Sequence, residues 1–181
     1  MDKVSPEHWF AARTRFRQEL KTRQRLASFG IDSYIPTRLV KSSRTGQETE
    51  KSVISGLIFL HTTKERALSI VNDYGVPIKY LIDRTKERHS IMVIPDKHME
   101  DFIRVVAEGK KNEDDCLVTK PLKVGDRVRV INGSLKQVEG NVLDSADGKY
   151  LVVGLCGILQ AKIRILPEYL EKIEGSVGDN R

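Results

Sequence analysis

The histidines and cysteines are the first residues to ask about chemistry. His8, His61, His89 and His98 fall at no metal-ligand spacing, and no phosphate loop or Ser–His or Cys–His arrangement stands out. Cys116 and Cys156 stand forty positions apart without a Cys-x-x-Cys pair, which gives neither a zinc site nor a disulfide framework and fits a reducing compartment. No catalytic residue, metal site or cofactor is therefore expected, and the chain is not read as an enzyme. The concentrated chemistry is cationic. Between Arg13 and Arg25 there are six basic residues (Arg13, Arg15, Arg17, Lys21, Arg23, Arg25) against one acid, Glu19.

That run must be held by the elements around it. Trp9–Ala12 reads as a short apolar strand, the basic run as a helix with Leu20, Leu26 and Ala27 roughly on one face, and Gly30 as its stop. Arg23 falls near the apolar stripe, so its stem is expected to pack while its head reaches out. Ser33–Ile35 is a second strand ending at Pro36. Residues 37–52 are polar and mixed in charge, a hairpin or a loop, whose Arg38, Lys41, Arg44 and Lys51 either meet phosphate or are simply solvated. Val53–Thr62 reads as a central strand containing Gly56. Leu57 and Phe59 point to one of its faces, Ile58 and Leu60 to the other. One face packs on helices; the other needs a cover, which a partner protein would supply.

A second helix is expected over Lys64–Tyr74, burying Ala67, Leu68, Ile70 and Val71 and stopped by Gly75. Strands follow at Ile78–Ile82 and Ile91–Ile94, then a third helix at Asp96–Glu108 that buries Met99, Phe102, Ile103 and Val106. Strands alternating with helices over so short a length imply a compact α+β sandwich.

Residues 109–121 read as a tether, with Gly109, a charged run and Pro121; an ordinary surface loop is the other reading. Beyond it the texture changes. Val124, Val128 and Val130 alternate with Arg127 and Arg129, Asn132-Gly133 and Asp147-Gly148 mark turns, and further strands lie at Val138–Leu143, Tyr150–Val153 and Ile163–Ile165. Five short strands in about 50 residues make a small barrel with no exposed sheet edges. The expected organisation is a first domain over 1–108, a linker over 109–121, a β-barrel over 122–175 and a tail over 176–181.

Charge follows the same division. Residues 1–108 hold 19 basic and 14 acidic side chains, and residues 122–181 hold 9 and 8, so nearly all of the net +6 lies in the first part. A basic first domain and a nearly neutral second one imply a polyanion for one and a protein for the other. No stretch approaches the ~20 apolar residues of a membrane span, and MDKVSPEHWF lacks the apolar core of a signal peptide. A cytoplasmic, nucleoid-associated monomer that leaves membranes alone is expected.

The motifs together resemble the NusG-type transcription elongation factors over nearly the whole chain. Val124–Val142 resembles a KOW motif: Gly125-Asp126, the Val128–Val130 strand, Gly133, then Glu139-Gly140 and Val142. The first part resembles a NusG N-terminal domain through Trp9-Phe10, the basic helix, Tyr34-Ile35-Pro36, the Ser55–Leu60 strand, and Ile91–Val106. The fold this implies is α+β: an N-terminal antiparallel sheet flanked by helices, followed by a small SH3-like KOW β-barrel. Ser55 stands where the family has proline, Leu57 where it has an aromatic, and Ser134-Leu135 where many members have Pro-Phe. These departures imply a specialised paralogue, most like the UpxY antiterminators of Bacteroides capsule loci, relatives of NusG and RfaH.

The resemblance implies a non-catalytic factor that binds RNA polymerase during elongation and promotes processivity or antitermination, at specific operons such as capsular polysaccharide loci. A housekeeping NusG, or a ribosome-associated KOW protein that binds RNA, are the alternatives. It places Leu57, Phe59, Tyr34 and Pro36 on the clamp helices of the largest polymerase subunit, with Phe59 either an anchor or plain core. It places Arg15, Phe16, Arg17 and Gln18 on the non-template DNA strand of the transcription bubble. Guanidinium groups suit that role because they pair with phosphate and stack on bases, and the Gln18 amide can meet a base edge. For the barrel it implies a ribosomal protein or Rho, with Leu135 and Ile158 as contacts. Refolding of the barrel into helices is disfavoured by its valine-rich, period-two strands.

Overall fold

A computed structural model describes residues 5–85, 90–111, 117–119 and 124–173 of the 181-residue chain. His89, Cys116, Pro121 and the expected tail over 176–181 lie outside these. The chain divides into two compact units, Met1–Asp96 and Lys97–Arg181.

The first unit opens with β1 (Glu7–Arg13), α1 (Glu19–Ser28), β2 (Asp32–Tyr34), β3 (Thr37–Lys41) and β4 (Glu48–Ser52). It continues with β5 (Leu57–Thr63), α2 (Lys64–Asn72), β6 (Lys79–Tyr80), β7 (Ile82–Asp83), β8 (Ser90–Ile91) and β9 (Val93–Ile94). The antiparallel sheet runs β2-β5-β1-β6, with β9 also pairing β1. At its centre Phe10 lies opposite Leu60, Ala11 opposite Phe59 and Ala12 opposite Ile58. Opposed residues share a face, so the apolar run of β5 serves both sides. Ala12, Ile58 and Leu60 join Leu26 of α1 and Ile70 of α2 in one buried cluster. Ala11, Leu57, Phe59 and Ile94, on the other face, are also buried.

The helix ends follow local rules. The Thr63 hydroxyl accepts the Arg66 amide at the start of α2. Gly30, at φ 66°, takes the left-handed step that closes α1, and Ile31 N–H donates back to the Leu26 carbonyl at 3.1 Å. The first helix is shorter than the basic run, because Arg17 itself has φ 58° and cannot sit inside a helix. Leu68, expected in the core, is exposed: α2 buries only Ala67 and Ile70. Residues 37–52 form the β3–β4 hairpin, tied to α1 by a two-pronged Arg23–Glu50 pair at 2.6 and 3.2 Å. That contact is where the misfit Arg23 head goes.

The second unit contains α3 (Asp96–Lys111, from Lys97 on), β10 (Leu117–Thr119), β11 (Arg127–Val130), β12 (Glu139–Ser145), β13 (Gly148–Leu155), β14 (Leu159–Arg164) and, after a 3-10 turn at Pro167–Tyr169, β15 (Leu170–Lys172). The sheet is antiparallel in the order β10-β14-β13-β12-β11-β15. Inward residues Leu151, Val153, Leu155, Ala161 and Ile163 form its core. Among the described residues β10 and β15 are not paired with each other, so the expected absence of sheet edges is not observed. Gly140 sits so close to β13 that a Cβ there would lie 2.4 Å from the Val152 carbonyl oxygen. Along α3, Met99, Phe102 and Val106 are buried as expected, while Val105 is buried in place of Ile103, which is only half-buried.

The polar face of α3 rests on the turn before β12. Asp101 is 2% exposed; it accepts Lys97 Nζ at 2.6 and 2.7 Å and the Glu139 amide at 3.1 Å. Arg104 donates to the carbonyls of Ser134 and Lys136 at 2.9 and 3.0 Å. A buried carboxylate is tolerated here because its charge and its lone pairs are met. The fold is thus α+β in the first unit and β-rich in the second, which is consistent with a KOW domain. Of residues 109–121, the first three finish α3 and 117–119 form β10.

Candidate nucleic-acid interface

The turn between β1 and α1 is stapled at both ends. Thr14 N–H donates to the Gly56 carbonyl at 3.1 Å, and the Gly56 N–H donates to the Glu19 carboxylate. Gly56 has φ 74°, a conformation that suits glycine. Glu19, the lone acid of the basic run, is 3% exposed and therefore serves the fold rather than the surface. The Gln18 amide closes the turn on the Arg15 carbonyl at 3.1 Å, and the Gln18 carbonyl starts the helix by accepting from Thr22 at 2.8 Å.

Held this way, the turn projects Phe16 outward. The ring is 68% exposed, and the Arg17 guanidinium lies 5.0 Å from its centroid. A large ring left in water beside a cation has a free face on which a flat group can stack. Next to it is a cleft of about 440 Å³ lined by Arg15, Phe16, Gln18, Lys21, Thr22, Arg25 and Pro77. Three of the four residues expected to meet nucleic acid, Arg15, Phe16 and Gln18, line one cleft, and Arg17 sits over its ring. Sequence reasoning missed Lys21, Arg25 and Pro77. The spacing 18, 21, 22, 25 was a legible helix face; Pro77 arrives only through the tertiary fold.

The basic residues divide by use. Arg23 holds Glu50, and Arg25 also donates to the Tyr74 carbonyl at 2.9 Å. Arg15 and Lys21 have no ion pair among the described residues.

The residues expected to meet polymerase fall in one neighbourhood. Tyr34 lies opposite Phe59 in the β2–β5 register, Leu57 is two residues further along β5, and the Pro36 carbonyl accepts the Val53 amide at 2.8 Å. Tyr34 is half-buried and Pro36 buried; Leu57 is 3% and Phe59 0% exposed. As the structure stands, the two β5 residues have no free surface. On the second unit, Leu135 is buried in the turn held by Arg104, while Ile158 is half-buried in the β13–β14 turn.

Electrostatics in the second unit is largely internal. Glu139 accepts from Arg129 at 2.7 Å and Arg127 at 2.8 Å, which holds its carboxyl below the usual range and raises Arg129. The Tyr150 hydroxyl, with Ser145, likewise lowers Asp147. In the first unit, burial raises the Tyr80 phenol, whose hydroxyl donates to the Ala67 carbonyl at 2.7 Å.

Residues 7–103 match the family described as "Transcription termination factor nusG". The chain belongs to the NusG family. Members are transcription elongation factors, generally non-catalytic, that bind RNA polymerase. Comparison with curated proteins gives no match. Among solved structures the chain is similar to "Domain interaction in Thermotoga maritima NusG", at 18% identity and TM-score 0.47, covering 93% of this chain and 98% of that one. It is also similar to "Crystal Structure of MjSpt4:Spt5 complex conformation B", at 14% identity and TM-score 0.26, covering 92% and 97%. No helix among the described residues is long and apolar enough to cross a membrane.

Proposed function

We propose that this NusG-family chain is a specialised, UpxY- or RfaH-like antiterminator that rides with RNA polymerase and reads the exposed non-template DNA strand at operons such as capsular polysaccharide loci. The observation that carries the reading is Phe16, 68% exposed among Arg15, Arg17 and Gln18 on a turn tied down at both ends. An unpaired base can stack on the ring, the guanidinium groups meet flanking phosphates, and the Gln18 amide supplies hydrogen bonds to a base edge.

The polymerase clamp helices are met at the β2–β5 corner of Tyr34, Pro36, Leu57 and Phe59. Because Leu57 and Phe59 are buried, this contact requires them to be uncovered, with Tyr34 reachable first. Bridging the cleft then favours the closed, transcribing state in proportion to the factor's preference for it. The barrel recruits a ribosomal protein or Rho, with Ile158 the more accessible of its two named contacts. A ribosomal-RNA role is less well supported, since Arg127, Arg129, Lys149 and Lys172 of the barrel are already paired with acids.

The test is assembly on stalled elongation complexes with a defined bubble. The wild-type chain should join them, and Arg15→Glu with Arg17→Glu should weaken recruitment at least ~10-fold, about 1.4 kcal/mol, with unchanged thermal unfolding. A folded wild-type chain that fails to join, or a double variant that joins equally well, overturns the proposal.

A further inference from the structure

The Asn132-Gly133 step of the second unit has no role in the contacts described so far, yet it is the one Asn-Gly pair in the sequence. Asparagine before glycine can modify itself: the backbone nitrogen that follows attacks the side-chain carbonyl carbon and closes a cyclic imide. In a folded chain this depends on where the N–H of that nitrogen is held. Three asparagines lie among the described residues. After Asn72, the Asp73 N–H donates to the Ser69 carbonyl at 2.8 Å, at the C-terminal end of α2. After Asn141, the Val142 N–H donates to the Asp126 carbonyl at 2.9 Å, beside a stiff β-branched side chain. Gly133 differs: its N–H donates to Oδ1 of Asn132 itself at 2.8 Å. Cγ is one C=O bond of ~1.2 Å from that oxygen, so it lies within about 4 Å of the Gly133 nitrogen.

We propose that Asn132-Gly133 is a self-modifying site, at which the folded chain converts asparagine into an isoaspartyl or aspartyl residue with water as the only co-reactant. Hydroxide takes the Gly133 N–H proton, the nitrogen bonds to Asn132 Cγ, and the Cγ–Nδ2 bond breaks as ammonia leaves with a proton from solvent. Water then adds to one carbonyl of the imide and breaks its bond to the ring nitrogen, which remains the backbone nitrogen of Gly133. Opening at the main-chain carbonyl leaves the isoaspartyl link, and opening at Cγ leaves an ordinary aspartyl one. Nothing is oxidised or reduced. The reacting atoms are already near the separation from which bonds form. Asn132 is exposed to water and hydroxide, and Gly133 has no side chain to shield its nitrogen. The fold also keeps the reactive pair in place. Gly133 has φ 80°, and a Cβ there would stand 3.4 Å from the Tyr169 ring, so another residue fits poorly.

The product matters because the turn is fastened on both sides. Ile131 N–H donates to the Tyr169 carbonyl at 2.9 Å, and Arg104 of α3 holds the Ser134 and Lys136 carbonyls. An isoaspartyl link inserts an extra backbone carbon between these anchors and adds a negative charge. It should therefore strain the Arg104 contacts and weaken the second unit.

The test incubates the full chain in mildly alkaline and mildly acidic buffer. Isoaspartate is assayed with an isoaspartyl-specific carboxyl methyltransferase and located by peptide mass mapping. It should accumulate at position 132 before any change at Asn72 or Asn141, and faster in alkaline buffer because the nitrogen must lose its proton. The rate should lie within ~10-fold of that in a short peptide of residues 130–135, a barrier difference of at most about 1.4 kcal/mol. Asn132→Gln, whose longer side chain must close a larger ring, should abolish the signal with unchanged thermal unfolding. The modified wild-type chain should unfold at a lower temperature than fresh protein. Protection of the folded chain by more than ~10-fold relative to the peptide overturns the inference. So does isoaspartate that appears first at Asn72 or Asn141, or that forms equally in Asn132→Gln. An unaltered midpoint after modification overturns the tie to the Arg104 contacts.

Discussion

The two units treat their cations differently. In the second, Arg127 and Arg129 share Glu139, Lys97 holds Asp101, Lys149 holds Asp144, and Lys172 holds Asp126. In the first, Arg15, Lys21, Arg38 and Lys51 have no such partner among the described residues, while Arg23 and Arg25 are spent on the hairpin and the Tyr74 carbonyl. Net charge registers the excess in the first part but not which guanidinium groups are available. A polyanion is attracted by unpaired charge; a paired surface is better suited to fold stability or to a protein partner.

That contrast can be broken at the second unit. Gly140→Ala forces a Cβ against the Val152 carbonyl and should destabilise the barrel by about 3 kcal/mol or more. Single-strand binding by the first unit should persist, and losing both together would mean the units do not divide the work. Next in size, Asp101→Ala removes the acceptor of the Glu139 amide and the partner of Lys97, and should cost about 2 kcal/mol in urea unfolding of the second unit. Asp101→Asn, which keeps an acceptor, should recover part of it.

Acid offers the mildest probe. Glu139 titrates below its ordinary value in the folded chain because Arg129 and Arg127 hydrogen-bond its charged form. A carboxylate lowered on folding adds stability that is complete above the unfolded value of about 4.3 and is lost as pH falls through the folded one. The second unit should therefore weaken below about pH 4.3, and Glu139→Gln should flatten that dependence. An equally steep acid transition in the variant would remove Glu139 from the account.

Much was legible in the chain. Alternation in β11, the apolar run of β5, Gly30 and Gly75 as helix stops, and the basic run beside Phe16 are all local patterns, and local patterns survive folding. The start of α1 is not legible in the chain, because nothing in the residue types announces that Arg17 adopts a left-handed backbone. The exposure of Leu68 is not legible either, because a helix this short has a narrow buried face, and its neighbours settle which residues occupy it.

The sequence by itself determined the family, the order of elements, and the placing of most excess cations before residue 109, because periodicity and composition are properties of neighbours along the chain. Only the tertiary structure decided that Glu19 is buried beneath the turn, that Pro77 joins the Phe16 cleft, that Leu57 and Phe59 are covered, and that Arg38 faces Lys51. Each of these depends on cross-strand register or on contact between distant segments, and the strength of a charge is set by what stands within a few ångströms of it.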